Sequence, residues 1–135
     1  MTNYSCPYSF TVSINSAILF LIKELYGRVN LGEGALDTAV YEANNLQIID
    51  PNILPEDVCK NVIQSFSRRE IVDVNTEYGL PNCSYGNTPN PLSDRKALDN
   101  IIFNTIGLTQ DERNEVYCAV CELVQQRLAK AGSLR

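Results

Sequence analysis

The sequence contains no histidine. That removes the commonest general base and the commonest nitrogen ligand for zinc, and with them any Ser–His–Asp arrangement. A nucleophilic cysteine would need an activating base or helix dipole, and no residue stands at a recognisable spacing to supply one. Cys118 and Cys121 lie three apart inside a run that reads as helix, with no second pair at ligand spacing. They are read as core packing, because redox pairs usually open a helix after a strand. The carboxylate pairs Glu56/Asp57 and Asp111/Glu112 fall in the first turns of predicted helices, where they complement the dipole. Gly32-x-Gly34 invites a phosphate reading, but it follows a helix and leads into extended chain. Phosphate loops run from a strand into a helix N-terminus. The glycines are expected instead to allow positive φ and close backbone approach.

The basic residues form small groups: Lys23 with Arg28, Arg68-Arg69, Arg95-Lys96, and Arg127 with Lys130 and Arg135. Most fall at predicted helix ends, as dipole partners or solvated charges. Arg28 and Asn30, beside glycines, are the best candidates for DNA contact, since Arg and Asn side chains reach phosphates and base edges.

The elements that must position these residues are mostly helical. Ile14, Ala17, Ile18, Leu21, Ile22 and Leu25 follow one face of a 3.6-residue period, predicting a central helix over Ser13–Tyr26 with Ser13 as N-cap and Gly27 as terminator. A glycine-rich loop follows. Ala35–Tyr41 and Leu46–Ile49 are expected to form a small strand pair. Leu54-Pro55-Glu56-Asp57 starts a helix that carries Val58, Val62, Ile63 and Phe66 inward and stops near Ser67. Ile71–Tyr78 fits a short helix or a strand, and Gly79–Pro91 is too rich in Gly and Pro for regular structure. A helix over Asp94–Ile106, capped by Ser93 or Asp94 and ended by Gly107, presents Leu98, Ile101, Ile102, Thr105 and Ile106. Thr109–Glu112 is a capping box for a last helix that buries Val116, Val120, Leu123, Val124 and Leu128 and ends at Gly132. The short connection predicts an antiparallel helical hairpin. The expected fold is thus mostly α (α+β) in one domain: a helical and small α/β part over 1–78, a loop over 79–92 and the hairpin over 93–135.

Composition bounds the function. At 135 residues the chain can bury a core without metal or disulfide staples. A net charge of −5 opposes nucleic-acid binding by a global basic field, so DNA contact requires a local cluster or a larger assembly. The five cysteines are odd in number and scattered, no leader is recognisable in Met1–Phe10, and the apolar run Ala17–Ile22 is far too short to span a bilayer. Free thiols in a cytoplasmic protein, with no membrane association and no cofactor, are the expectation.

Two stretches carry a family resemblance. Asn15-Ser16 with its apolar helix, then Tyr26-Gly27-Arg28-Val29-Asn30-Leu31-Gly32-Glu33-Gly34-Ala35-Leu36, resembles the C-terminal region of adenine-N6 DNA methyltransferases of restriction–modification systems. Pro91–Asp99, Gly107–Arg113 and Val116-Tyr117 are similar to the helical end of the same proteins. In that family a catalytic domain lies upstream, with a glycine-containing S-adenosylmethionine loop and an Asn/Asp-Pro-Pro-aromatic motif for the flipped adenine. Asn90-Pro91-Leu92 and Asp50-Pro51-Asn52 lack the second proline and the aromatic, so no catalytic residue carries over. The resemblance implies a recognition or scaffold portion, not an enzyme alone, with Arg28, Asn30, Gly32 and Gly34 near DNA and a separate methyltransferase catalytic subunit as partner. The competing expectation is an interaction module that pairs as a helical homodimer.

Overall fold

The computed structural model describes residues 6–26, 28–29, 36–37, 49–80 and 87–133. Two helices stand where the apolar period implied one. α1 (Pro7–Asn15) and α2 (Ala17–Tyr26) are separated at Ser16, whose φ of −75° and ψ of 152° are extended. The apolar repeat crosses this break without interruption, which is why periodicity merges the two helices. Pro7 opens α1, its fixed φ and missing N–H costing nothing in a first turn. Ser13 is therefore interior to α1, and its hydroxyl donates to the Ile49 carbonyl at 3.0 Å. Ser16 caps α2 instead, its Oγ accepting the Leu19 N–H at 3.3 Å. The expected terminator Gly27 lies outside the described residues.

The strand pair expected between Ala35–Tyr41 and Leu46–Ile49 is not supported. The extended pieces are β1 (Arg28–Val29) and β2 (Leu36–Asp37), antiparallel, with Arg28 opposite Asp37 and Val29 opposite Leu36. The pairing thus falls earlier in the chain than expected, with Leu36 and Asp37 partnered by residues that precede them. Residues 38–48 lie outside the described residues.

A 3-10 turn (Pro51–Ile53) leads to α3 (Glu56–Phe66), which starts at Pro55 with both acids in its first turn, as expected. Its inward face is Cys59, Val62, Ile63 and Phe66; Val58 stands one position off that face and is 47% exposed. The ambiguous segment forms only α4 (Val74–Glu77), capped by Asp73, whose carboxylate accepts the Thr76 N–H at 3.1 Å. α5 (Ser93–Ile106) has Leu92 at its N-cap, so Ser93 and Asp94 are inside the first turn rather than capping it. Thr105 and Ile106 face solvent, and Phe103 takes the place expected for them. α6 (Gln110–Ser133) opens on the expected capping box: the Glu112 N–H donates to Thr109 Oγ1 at 3.2 Å and the Thr109 N–H to Glu112 Oε1 at 2.9 Å. It runs through Gly132 rather than stopping there. Leu128 is half exposed, and Tyr117 and Cys121 are buried in its stead.

α5 and α6 are joined by side chains of their adjoining halves, and α6 has a more extensive neighbour in α2. The two helices meet near their connection, where Phe103 lies edge-on to Tyr117 at 5.7 Å and Arg113 donates to Asn100 and Asn104. Beyond that, α6 lies along α2. One core cluster joins Ala17, Tyr78, Leu80, Phe103, Tyr117 and Val120; a second joins Val12, Leu54, Cys59, Phe66, Leu98 and Ile102. Ile18 packs on both.

Two glycines with positive φ make a contrast that can be measured. Gly107 terminates α5 at φ 76° with open space where a Cβ would stand. At Gly79, φ is 64° and a Cβ would sit 2.0 Å from the Asn90 carbonyl oxygen. That neighbour is tied down, because the Asn90 N–H donates to the Tyr78 carbonyl at 3.0 Å. Gly107→Ala is expected to cost about 1 kcal/mol, the left-handed strain alone. Gly79→Ala is expected to cost about 2 kcal/mol, because the clash adds to the strain. Urea midpoints of the two variants give the comparison; equal losses would show that the segment around Asn90 moves aside.

Candidate functional site

The most highly organised polar structure is built around the break between α1 and α2. Arg95 and Asp99 lie one turn apart on α5, on the same face as Leu98 and Ile102, and both are fully buried. Arg95 Nη1 donates to the carbonyl of Asn15, the last residue of α1, at 2.6 Å. Asp99 Oδ1 accepts the N–H of Ala17, the first residue of α2, at 2.8 Å. Each charge has the sign its helix end favours: a cation at the carbonyl end of α1, an anion at the amide end of α2. A similar clasp holds the other end of α1, where the Glu56 carboxylate of α3 accepts the Tyr8 and Ser9 N–H groups at 3.2 and 2.9 Å and the Ser9 hydroxyl at 2.6 Å.

From Arg95 the network continues outward. Its Nε meets Glu77 Oε2 at 3.2 Å, and its Nη1 lies 3.7 Å from Asp99 Oδ1. Glu77 Oε1 pairs with Arg69 Nη1 at 2.7 Å and accepts the Val72 N–H at 3.1 Å. Arg69 Nε reaches Asp94 Oδ2 at 2.5 Å. Both guanidinium groups sit against the Phe66 ring, at 4.8 Å for Arg95 and 4.9 Å for Arg69. Tyr117 closes the inner end, donating its hydroxyl to Asp99 Oδ2 at 2.9 Å. The network thus bridges the two apolar clusters, with Asp99 bound to Ala17 and Tyr117 and Arg95 stacked on Phe66.

Burial sorts the proton affinities. It pushes Asp99 up to about 6, with Arg95, the Ala17 amide and the Tyr117 hydroxyl pulling the other way. Burial also pushes on Glu77, but Arg69, the Val72 amide and Arg95 outweigh it and hold that carboxyl below its usual range. Hydrogen bonds from Arg69 hold Asp94 low. Burial, reinforced by the Asp99 charge, raises both Tyr78 and Tyr117, so each phenol keeps its proton. Tyr78 stacks on Tyr117 at 4.6 Å, and its hydroxyl has no hydrogen-bond partner among the described residues. Asp99 and Tyr117 could share a proton, yet both are closed off from solvent, so no external substrate reaches them. The chemistry of this cluster is internal: it fixes where α1 ends, where α2 begins and how α5 meets both.

Two surface recesses flank α2. One, of about 230 Å³, is lined by Phe20, Lys23, Val72, Val74, Tyr78 and Val124. That is below the roughly 300 Å³ at which small-molecule sites begin. The other, on the opposite flank, is an open groove of about 350 Å³ lined by Ile18, Leu21, Leu108, Glu112, Val116 and Ala119. Among the described residues no cysteines and carboxylates converge where a metal could be held, and no helix is long and apolar enough to cross a membrane.

Of the loop candidates, Arg28 stands in β1 opposite Asp37, while Asn30, Gly32 and Gly34 lie outside the described residues. Cys121 is buried in the core and Cys118 half-buried beside it. Arg69 and Arg95, read from sequence as helix-end charges, are instead the two cations of the buried network; the reading by groups missed them. A usable signal existed for one pair. Arg95 and Asp99, spaced i, i+4, share the apolar stripe of Leu98 and Ile102, where solvated charges do not belong. No comparable signal marks Glu77 or Tyr78. No protein-family model, curated protein or solved structure matches this chain.

Proposed function

We propose that this chain is a non-catalytic recognition module, comparable to the C-terminal recognition part of an adenine-N6 DNA methyltransferase and serving a separate catalytic polypeptide. The observation that supports this reading is the short ladder Arg28↔Asp37 and Val29↔Leu36, which pairs the residues on either side of the stretch containing Asn30, Gly32 and Gly34, shortly after the apolar helix α2. Arg and Asn are residue types that contact phosphates and base edges, so Arg28 and Asn30 beside this pairing can serve DNA contact without a general basic field. With a net charge of −5, the contact must be local and weak by itself.

The expected result is salt-sensitive association with duplex DNA, weakened by Arg28→Ala and strengthened when a methyltransferase catalytic subunit is added. Fluorescence anisotropy at low salt measures it. Absence of binding by both proteins, with no methyltransferase subunit retained on the immobilised chain, would remove the basis for a DNA role.

A second reading, an interaction module that pairs with a copy of itself, is favoured by the groove between α2 and α6. Its apolar floor of Ile18, Leu21, Leu108 and Val116 opens to the surface.

A further inference from the structure

The smaller recess beside α2 holds an imbalance of polar groups. Its walls are apolar: Phe20 from α2, Val72 and Val74 at the approach to α4, and Val120 and Val124 from α6. Four polar side chains also line it: Lys23, Glu24, Glu77 and Tyr78. Both carboxylates are committed elsewhere. Glu24 takes Arg127 on its two oxygens, at 2.8 and 3.2 Å. Glu77 takes Arg69 on both oxygens, with the Val72 N–H and Arg95 completing its set. None of these three arginines lines the recess.

Two groups are left over, and both are donors. Lys23 is half-buried, yet it makes no hydrogen bond or ion pair among the described residues. A lysine in the last turn of a helix is ordinary by itself. The Tyr78 hydroxyl is not. It belongs to a fully buried side chain, keeps its proton, and donates to nothing among the described residues. Folded proteins leave few buried polar atoms in that condition, because burial strips away hydration that only a new partner replaces. The volume of about 230 Å³ sets the size of an occupant. It is less than a drug-sized ligand needs and enough for one aromatic ring or a short branched chain.

We infer that this recess binds a small organic monocarboxylate, with its apolar body against Phe20 and the valines and its carboxylate accepting from Lys23 and the Tyr78 hydroxyl. A cationic ligand would meet Lys23 with like charge, and a hydrocarbon would leave the hydroxyl unsatisfied. A phosphorylated ligand would find one uncommitted cation and apolar walls. The site uses no residue of the 28–37 stretch, so it stands or falls independently of the DNA reading.

Benzoate is the probe, with benzamide as its uncharged counterpart, followed by amide NMR of the isotope-labelled full chain at constant ionic strength. Ligands this small bind with a Kd of roughly 0.1–1 mM, so titration to about 10 mM reaches saturation. Benzoate is expected to give saturable shifts grouped at Lys23 and at residues 72–78 and 120–124. Benzamide binds about tenfold more weakly, having lost its charge pairing with Lys23. Lys23→Met weakens benzoate about tenfold and leaves benzamide unchanged. Tyr78→Phe weakens both about tenfold, and its melt separates a ligand-binding hydroxyl from a packing group. Without ligand this variant melts above the wild type, because an unpaired hydroxyl has gone. Benzoate narrows that gap by stabilising the wild type more. A wild type without saturable shifts, shifts scattered over the surface, or equal affinities for benzoate and benzamide would overturn the assignment. So would either variant that binds benzoate as tightly as the wild type.

Discussion

Replacing Arg95 with Met is expected to remove about 3–5 kcal/mol of folding stability. Domains of this kind have only about 5–15 kcal/mol in total. Methionine nearly fills the volume of the arginine stem, so the loss measures charge and hydrogen bonding rather than a cavity. Without Arg95, the buried Asp99 has lost the only nearby cation among the described residues, and the Asn15 carbonyl has lost its donor at the end of α1. Glu77 keeps Arg69, so Asp99 is the stranded group. This makes a prediction that a simple packing defect does not share. Protonating Asp99 removes the need for a cation, so the deficit of Arg95→Met should narrow as pH falls through the range in which Asp99 titrates. Arg69→Met should cost less, because Arg69 is 26% exposed and water can replace part of what it provides. Urea unfolding of both variants at mildly acidic and neutral pH gives the comparison. A pH-independent deficit would show that Arg95 matters through its stem and not its charge.

The parts of the fold written in local signals were legible from the residues alone. Thr109–Glu112 and Gly107 mark helix ends through bonds made within a few residues, Pro55-Glu56-Asp57 marks one by a fixed φ and acids in the first turn, and each stands where it was expected. The break at Ser16 is different. Nothing between Ile14 and Leu25 interrupts the apolar period, and the groups that hold the break open, Arg95 and Asp99, come from the far half of the chain. A long helix would leave those two buried charges without the free carbonyl of Asn15 and the free amide of Ala17. The tertiary partner thus decides the local conformation.

A distant partner also governs the packing of α6. A short connection makes α5 and α6 neighbours in sequence, but α6 finds its longest apolar partner in α2, whose stripe is the most hydrophobic in the chain. Where the candidate site is concerned, the charges of α5 could have been recognised by their position among Leu98 and Ile102. Their partners could not. Glu77 sits in a four-residue helix with no periodicity to read, and Arg69 is brought to it by the turn after α3.

Stability should fall with rising pH through the contribution of Asp99, against the direction usual for a paired carboxylate. In the folded chain Asp99 takes its proton at about 6, compared with the ordinary 3.8. Between these values the folded state binds more protons than the unfolded one. Linkage then makes the stabilisation from Asp99 complete below the unfolded value and lost as pH rises through the folded one, an effect of about 3 kcal/mol. Glu77, Asp94 and Glu56 act oppositely. Their folded pKa values are lowered, so what they contribute is present above their ordinary range and lost on acidification. The raw pH profile is therefore a mixture of the two signs. Asp99→Asn separates them, because its amide oxygen can still accept the Ala17 N–H but does not titrate. The unfolding free energy of the wild type minus that of Asp99→Asn should decrease by about 3 kcal/mol between about pH 4 and about pH 8. Urea titrations across that range measure it. A flat difference would mean that Arg95 and the two hydrogen bonds fully offset the burial of the charge. A difference that increases with pH would mean they more than offset it, making the clasp at the α1–α2 break an ion pair strong enough to hold Asp99 ionised.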